Sequence, residues 1–279
     1  MYNWNAEDYQ KSSSTQQKWA EELIKKLKLN GNECILDIGC GDGKVTAEIA
    51  SILNNGYILG IDSSKNIIEL AQKTFSKYNN KNLSFKVKNV HDLDFNEQFD
   101  ILFSNAVLHW VNNHLDILKR AKNALKPSGR ILFQMGGKGN AQYILEIADE
   151  YIKTKSWKQY FKDWRNFQIL NPKIKDFEGF DFKFGFYGKD EYEKWLIESG
   201  LKANRVELIN KNMAKKDKDD LKAWIRTTWL PYTERVPEKL RDQFIDELAS
   251  KYIEKYPEDN KGKINVKMVR LEVEATKSP

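Results

Sequence analysis

The 279-residue sequence predicts an α/β fold in which a mainly parallel sheet of seven strands is flanked by helices. Short apolar runs of strand length alternate with segments of helical periodicity in the first half of the chain, and such helical crossovers are what parallel neighbours require. A glycine-rich turn, Gly39–Gly43, directly follows the first apolar run. Ligands of open α/β sheets bind at the carboxyl ends of the strands, where this turn is expected to lie.

Apolar segments of strand length predict the sheet. Cys34–Ile38 and Tyr57–Asp62 are rich in isoleucine and leucine, as in strands that are covered on both faces. Leu83–Val87 instead alternates apolar and polar residues, which is typical of a strand near an edge. The predicted strands cover residues 34–38, 57–62, 83–87, 99–104, 130–135, 204–209 and 264–273.

Helical periodicity appears between these strands. Trp19, Leu23 and Leu27 repeat at helical spacing and predict a helix over about residues 14–28. The second helix is expected to bury Ile49 and Ile52 and to stop at Asn54-Asn55-Gly56. A further helix is predicted after an N-terminal cap at Ser63 or Ser64. Others are predicted over residues 115–125 and 191–199 and within a block over residues 217–256.

The alternation of strands and helices lapses after residue 137, where residues 138–190 become aromatic and irregular. We interpret the chain as one domain, residues 1–279, whose ligand-binding core is residues 30–135. Two insertions, residues 138–190 and 211–258, are expected to fold over the carboxyl edge of the sheet as a helical lid. In the alternative interpretation, the insertions form a separate small domain.

The composition excludes several classes of protein. The 46 Lys and Arg residues give a net charge of +6, but the 40 Asp and Glu residues interrupt the basic runs, as on a solvated surface rather than a nucleic-acid interface. Cys34 and Cys40 match neither a zinc pair nor a redox motif, so no metal is predicted and a reducing compartment is expected. No apolar signal segment or membrane span is visible, which predicts a cytoplasmic protein with no membrane partner.

The glycine turn selects among the adenosine-containing cofactors. Asp37–Gly43 has the spacing D-x-G-x-G-x-G. A dinucleotide fingerprint that starts at Gly39 requires a third glycine where the chain has Lys44. A phosphate-binding P-loop that starts at Gly39 requires a glycine at the same position, so both motifs are absent here. Asp62 ends the second strand, where an acidic residue accepts hydrogen bonds from ribose hydroxyls. The turn therefore predicts an adenosine ligand that is not a dinucleotide.

Residues 30–135 resemble the class I methyltransferases that depend on S-adenosylmethionine (SAM), which have a Rossmann-like sheet. Asp62, the loop of residues 89–95, the segment of residues 99–110 and the turn of residues 126–130 match that family in order. The resemblance implies that SAM is the cofactor. The cofactor-binding residues that it implies are Asp37, Gly39, Cys40, Gly41, Gly43, Asp62, Ser63, Asn89, Val90, Asn105 and Ala106.

The resemblance also implies a role for several of these residues. The backbone of Gly39–Gly43 would lie along the methionine and ribose portions of SAM, and the backbone of Val90 would meet the adenine edge. Asn89 stands where many members of the family carry an aspartate, and its amide oxygen would accept the adenine amino group more weakly. Asp37 would orient the ammonium end of SAM, or alternatively would only cap the turn.

More of the chain is similar to the trans-aconitate methyltransferase group. The similarity includes residues 4–9, 105–111 and 223–232, and continues through residues 240–257 and 267–275. His109-Trp110 also resembles a pair in methylases of terpenoid acids. Both resemblances imply a small organic acid whose carboxylate oxygen receives the methyl group by in-line displacement. A carboxylate is ionised at pH 7, so no strong general base is needed.

The resemblance suggests His109, Trp110 and Arg226 as catalytic candidates, with Arg226 binding a substrate carboxylate. In the alternative interpretation, Arg226 only pairs with a surface acid. His109 is expected to orient Trp110 or the substrate rather than to transfer protons. His114 is predicted to be exposed at a helix start. Further candidates for the pocket walls and for the acid anchor are Trp164, Trp224, Trp229, Tyr232, Arg165 and Arg270.

The acceptor is less constrained than the cofactor, because this fold does not determine the substrate. The alternatives are an amine or carbon acceptor, an RNA substrate, and a SAM-binding protein without activity. No nucleic-acid partner is expected, because no RNA-binding module is visible. Tyr9 and Ser12–Ser14 of the N-terminal leader are expected either to close over the cofactor or to be disordered.

Overall fold

The computed structural model describes residues 14–75, 81–161 and 184–278. Its strands are β1 (Cys34–Ile38), β2 (Tyr57–Asp62), β3 (Leu83–Val87), β4 (Phe99–Asn105), β5 (Leu125–Gly136), β6 (Leu201–Lys215) and β7 (Ile264–Lys277). Its helices are α1 (Ser14–Leu27), α2 (Lys44–Ala50), α3 (Lys65–Phe75), α4 (His114–Ala124), α5 (Gln142–Tyr151), α6 (Lys189–Ser199), α7 (Lys218–Thr228), α8 (Leu230–Thr233) and α9 (Glu238–Lys255). Short 3₁₀ turns cover Val90–Asp92, Leu108–Trp110 and Lys158–Phe161.

The strands form one seven-stranded sheet in the order β3-β2-β1-β4-β5-β7-β6. The pairs β1–β2, β1–β4, β2–β3 and β4–β5 are parallel, and β5–β7 is antiparallel. The predicted fold class, a mainly parallel Rossmann-like sheet of seven strands flanked by helices, is confirmed. The chain order reverses between β2-β1 and β4, so β1 and β4 are the neighbours at the topological switch point, where open α/β sheets bind ligands.

One face of the sheet is covered by α1 and α2. Leu23 and Leu27 of α1 are fully buried and pack in one apolar cluster with Ile49 of α2 and Phe103 of β4. The prediction that Ile52 is buried was wrong, because its side chain is 40% exposed. Helix α2 ends at Ala50, so the residues beyond it no longer follow the helical period that would have turned Ile52 inward.

The opposite face of the sheet is covered by α4 and α6. Leu118 and Ala121 of α4 are fully buried and share an apolar cluster with Leu196 of α6 and Phe133 of β5. The edge strand β6 is longer than the predicted residues 204–209. Most of its side chains are at least partly exposed, and a strand that buries so little has a weak apolar signal.

Contacts between Cα atoms divide the chain into two compact units. The larger unit contains residues 13–140, 184–210 and 269–279, and the smaller contains residues 1–12, 141–183 and 211–268. The two insertions thus fall mainly in the smaller unit, although residues 138–140 and 184–190 of the first insertion belong to the larger. The closing of a lid over the sheet edge stays a prediction. No helix in the described ranges is both long and apolar enough to cross a membrane.

Candidate active site

The glycine turn is tied to the end of β2 by its backbone. The N–H groups of Gly39 and Cys40 both donate to the Ile61 carbonyl oxygen, at 2.7 and 3.0 Å. Gly39 has a φ of +74°, and a Cβ on it would lie 2.4 Å from both Cγ atoms of Val107. Only glycine has no steric cost in this left-handed conformation and this close contact. The turn therefore packs directly against the segment that follows β4.

Gly41 presents bare backbone to open space. Its φ is +55°, and a Cβ built on it would meet no atom within 4 Å. Its N–H donates to Asp62 Oδ2 at 3.2 Å, and Asp62 Oδ1 accepts the Ser64 N–H at 2.9 Å. Burial raises the pKa of Asp62, and these backbone hydrogen bonds oppose the rise. An acidic acceptor therefore lies beside open backbone, as a ribose-containing ligand requires.

Asp37 is held inside the protein by a neighbouring hydroxyl. Thr46 Oγ1 donates to Asp37 Oδ2 at 2.7 Å, and the Asp37 side chain is buried. Burial raises its pKa to about 7, and the nearby Asp62 charge adds to the rise while the Thr46 hydrogen bond opposes it. Asp37 thus links β1 to α2 in this structure. Its contact with the ammonium end of SAM stays a prediction.

Two buried amide oxygens lie beside this region without a donor. Asn105 and Gln134 are register partners in the parallel strands β4 and β5, so their side chains share one face. Gln134 Nε2 donates to Glu272 at 3.0 Å, which directs its Oε1 the other way. Within the described part of the chain, Asn105 Oδ1 and Gln134 Oε1 have no hydrogen-bond partner. Such orphaned acceptors cost about 1–3 kcal/mol each, and an ammonium group of a ligand would satisfy them.

Asn89 is already engaged with its own backbone. Its Oδ1 accepts the His91 N–H at 2.9 Å and caps the 3₁₀ turn that begins at Val90. A carbonyl oxygen has a second lone pair, so the predicted contact with the adenine amino group is compatible with this cap. Ala106 has a φ of +60° and donates its N–H to the Gln134 carbonyl oxygen at 2.7 Å. The segment after β4 is therefore anchored where it leaves the sheet.

His109 is a buried and neutral side chain. Its Nδ1 lies 3.3 Å from the Gly136 backbone nitrogen. That N–H can only donate, so Nδ1 accepts and Nε2 carries the ring proton. Burial lowers the pKa of His109 well below its ordinary value, and electrostatic interactions with Arg270 and His114 lower it further. His109 can therefore donate a hydrogen bond through Nε2 and is a poor acceptor of protons.

Trp110 belongs to an aromatic wall that also contains His109, Phe184 and Phe186. Phe184 lies edge-on to Trp110 at 5.3 Å between ring centroids and stacks on Phe186 at 5.0 Å. Phe186 in turn lies 5.7 Å from His109. The two phenylalanines were not among the predicted site residues. Their alternation in Phe180-x-Phe182-x-Phe184-x-Phe186 is the period of an extended segment with one aromatic face, a signal that would have revealed them.

The prediction that His114 is exposed was wrong. It begins α4 as expected, but its side chain is only 1% exposed and is enclosed by Tyr187, Tyr192 and Trp195. A single histidine at the start of a helix gives no periodic signal of its orientation. The sequence pattern around it therefore could not show that it points inward.

The candidates in the smaller unit have their own contacts there. Arg226 Nη2 pairs with Asp242 of α9 at 2.8 Å, and both side chains are exposed. Trp224, Trp229 and Tyr232 are buried, and the Tyr232 hydroxyl donates to Asp149 at 2.7 Å. These three aromatics therefore belong to the core of the smaller unit in this structure. The roles of Arg226 and these aromatics toward a substrate stay predictions.

Other candidates are placed differently or lie outside the described residues. Arg270, on β7 in the larger unit, is buried with its guanidinium over the Trp19 ring at 5.1 Å. Trp164, Arg165 and the leader residues Tyr9 and Ser12–Ser13 lie outside the described ranges, and only the backbone of Ser14 falls within them.

Comparisons with known proteins identify the family of the chain. A family model described as a methyltransferase domain matches residues 29–200, which is more than half of the chain. The chain belongs to this methyltransferase family. The predicted enzyme class, a SAM-dependent methyltransferase, is thereby confirmed.

The relatives of this methyltransferase include enzymes that are named for methylating acids. It is 26% identical over 282 residues to a trans-aconitate 2-methyltransferase of Rhizobium etli, covering 98% of this chain and 99% of the relative. It is 30% identical over 140 residues to a malonyl-[acyl-carrier protein] O-methyltransferase of Bacillus cereus, covering 49% of this chain and 51% of that protein. The phosphoethanolamine N-methyltransferase 2 of Haemonchus contortus, solved with S-adenosyl-L-methionine, matches with a TM-score of 0.58 and 18% identity, over 98% of this chain and 57% of that one. This last match shows the shared fold.

Proposed function

We propose that this methyltransferase methylates a carboxylate oxygen of a small organic acid. The observation that carries the proposal is the state of His109, whose Nδ1 is occupied by the Gly136 N–H and whose pKa is lowered by burial. An amine acceptor must lose a proton before it reacts, and His109 is poorly suited to take one. A carboxylate has no proton to lose at pH 7 and accepts the hydrogen bond that a neutral imidazole N–H offers.

The cofactor site of the proposal is built around the turn of residues 39–43. SAM, when bound, supplies an electrophilic methyl group on sulfur. The open space at Gly41 admits a ligand against bare backbone, and Asp62 beside it accepts hydrogen bonds from ribose hydroxyls. The orphaned oxygens of Asn105 and Gln134 fit the ammonium group of the methionine portion.

The acceptor site of the proposal is the aromatic wall of Trp110, Phe184 and Phe186 with His109. These rings exclude water from an acid that is held against them, and a carboxylate reacts faster when it has lost part of its hydration shell. The Nε2–H of His109 orients one carboxylate oxygen so that the acid is aligned for transfer. The activities of the Rhizobium and Bacillus relatives, on trans-aconitate and on a malonyl group, support an acid acceptor.

Arg226 is proposed as an additional anchor for a second carboxylate of the substrate. Arginine binds a carboxylate through two parallel N–H groups, and an exposed ion pair such as Arg226–Asp242 contributes only about 0–1 kcal/mol. A substrate acid can therefore replace Asp242 at little cost. The smaller unit, which carries Arg226, is proposed to supply the lid.

The proposal is tested with SAM that is radiolabelled in its methyl group. Purified protein is incubated with a panel of di- and tricarboxylic acids that includes trans-aconitate, with a malonyl thioester, and with amines and transfer RNA. Label on acids that is released as methanol by mild base supports the proposal. Label on amines or RNA with none on acids overturns it, and so does a protein that binds SAM without methylating any member of the panel.

A further inference from the structure

His114 makes hydrogen bonds from both of its ring nitrogens. Its Nε2 lies 2.9 Å from the Leu108 carbonyl oxygen and 3.1 Å from the Val111 carbonyl oxygen. Its Nδ1 contacts the Tyr192 hydroxyl of α6. Carbonyl oxygens only accept, so Nε2 carries the proton and donates to the turn, which leaves Nδ1 as an acceptor. Met135 Sδ also lies 3.2 Å from the Tyr192 hydroxyl, but a thioether is a weak acceptor, so the hydroxyl proton is assigned to Nδ1. The imidazole is thus a neutral bridge between a backbone turn and a helix.

The turn that His114 binds is the segment that carries Trp110. Leu108–Trp110 form a single 3₁₀ turn, and residues with positive φ flank it, Ala106 at +60° and Asn113 at +57°. Non-glycine residues in this conformation cost about 1–3 kcal/mol each, and they persist only where their surroundings hold them. His114 donates to two carbonyl oxygens of this segment, that of Leu108 in the turn and that of Val111 directly after it.

The other side of the turn is held by the chain around Gly185. The Gly185 N–H donates to the His109 carbonyl oxygen at 2.9 Å. A Cβ on Gly185 would lie 3.1 Å from His114 Nε2 and 3.0 Å from the Val111 carbonyl oxygen. Phe184 and Phe186, which pack on Trp110 and His109, flank this glycine. His114 and Gly185 therefore lie against each other beside the Val111 carbonyl oxygen, and both hydrogen-bond the backbone that carries His109 and Trp110.

We propose that the His114–Tyr192 pair is a positioning device that holds the Leu108–Val111 turn, and with it Trp110, in the conformation that receives the methyl acceptor. The proposal rests on the proposed function, because it takes Trp110 as a wall of the acceptor site. His114 acts through the turn and touches neither cofactor nor acceptor. The hydrogen bonds of the pair reach Leu108, Val111 and Met135. They do not reach the glycine turn, Asp62, Asn105 or Ala106, so SAM binding is expected to be spared.

The bridge depends on His114 being neutral. Burial is the main reason that its pKa is lowered to about 4, the charge of His91 also lowers it, and the two carbonyl oxygens oppose the shift. The rings of Tyr187 and Tyr192 pack against it, and burial raises the pKa of both hydroxyls, so they stay neutral. His109, which interacts electrostatically with His114, is neutral as well because burial lowers its pKa. Protonation at Nδ1 replaces the acceptor of the Tyr192 proton with a second donor. The turn is therefore expected to loosen as the pH falls toward 4.

The test is hydrogen exchange of the peptide that contains residues 106–113, in Tyr192→Phe and His114→Gln, with mass spectrometry as the readout. Loss of one buried hydrogen bond is expected to raise its exchange about tenfold in Tyr192→Phe. Glutamine still donates to the carbonyl oxygens but does not titrate. Acid-induced opening, after correction for intrinsic exchange, is therefore expected to disappear in His114→Gln and to begin at higher pH in Tyr192→Phe. In both variants the KM for the acid should rise while the Kd for SAM stays within about twofold.

The matched control is Tyr57→Phe, which removes a tyrosine hydroxyl that contacts Ser84 at the amino end of β2. It should leave the exchange of residues 106–113 unchanged. Unchanged exchange there in a folded Tyr192→Phe, or an equal change in the peptide of residues 57–62, overturns the proposal. If the wild type methylates no acid, the proposed function fails, whereas the exchange measurement still decides whether the pair holds the turn.

Discussion

Replacing Gly41 by alanine tests whether the open space beside Asp62 belongs to the cofactor. Gly41 has a φ of +55°, and a Cβ added there would have no atom within 4 Å, so it would project into that space. Gly262 offers a matched control, with a φ of +67° and its nearest neighbour 3.9 Å away. An L-residue in this left-handed conformation costs about 1–2 kcal/mol. The free energy of unfolding of both variants should fall by this amount, which corresponds to a fall in Tm of roughly 2–8 °C.

The two glycine variants should differ in cofactor binding. Gly41→Ala is expected to weaken SAM binding by about tenfold or more, because its methyl group takes the space that the ligand needs. Gly262→Ala should bind SAM like the wild type. Gly39→Ala should be less stable than either, because its Cβ would lie 2.4 Å from Val107 and overpacking adds about 1–3 kcal/mol.

The assay is urea unfolding for stability and isothermal titration calorimetry for the Kd of SAM, on all three glycine variants. Equal SAM affinities for Gly41→Ala and Gly262→Ala, with equal losses of stability, would refute the placement of the cofactor at Gly41. A loss of affinity in Gly262→Ala as large as in Gly41→Ala would refute it as well, since backbone strain alone would then explain both.

Three further predictions follow from the site. Gln134→Leu should weaken SAM binding about tenfold, because it removes one acceptor of the ammonium group. The affinity for 5′-methylthioadenosine, which lacks that group, should stay within twofold of the wild type in calorimetry. Arg226→Ala should raise the KM of a polycarboxylic acid about tenfold with little change in kcat, whereas Asp242→Ala should not raise it. Burial raises the pKa of Asp37 from 3.8 to about 7, so between these pH values the folded protein binds more protons than the unfolded chain. The free energy of unfolding of the wild type should therefore fall, relative to that of Asp37→Asn, as the pH rises through this range. Urea titrations of both proteins at several pH values measure this difference.

Contrary results are equally specific for these predictions. A parallel loss of SAM and 5′-methylthioadenosine affinity would show that Gln134 acts through the fold. A KM for the acid that is unchanged in Arg226→Ala would remove that residue from the acceptor site. A stability difference between wild type and Asp37→Asn that does not change between pH 4 and 8 would show that Asp37 does not take up a proton on folding.

The buried parallel strands were predictable because their physics is local. Cys34–Ile38 and Tyr57–Asp62 were predicted with the bounds that the structure has, since continuous apolar runs of five or six residues fit a strand that is covered on both faces. The edge strand β6 was underestimated, because a largely exposed strand lacks that signal. Ile52 was misplaced for a related reason, since helical periodicity applies only up to Ala50, where α2 ends.

The glycine turn could be recognised from spacing alone, but its partners could not. Thr46, which donates to Asp37, lies on α2 and meets it only because the glycine turn folds the helix back against β1. Gln134 lies beside Asn105 only through the register of β4 and β5. The burial of His114 likewise depends on Tyr192, 78 positions further along the chain. Such contacts are tertiary, and neither propensity nor periodicity contains them.

The central claim, that the acceptor atom is a carboxylate oxygen, is tested most directly by identifying the atom that carries the methyl group. One competition reaction contains SAM with a ¹³C-labelled methyl group, trans-aconitate, other polycarboxylic acids and several amines, and the products are identified by ¹³C nuclear magnetic resonance. The predicted result is a methyl ester of an acid, with its methyl carbon bonded to oxygen. A methyl carbon bonded to nitrogen or to carbon, with no ester formed, would contradict the claim.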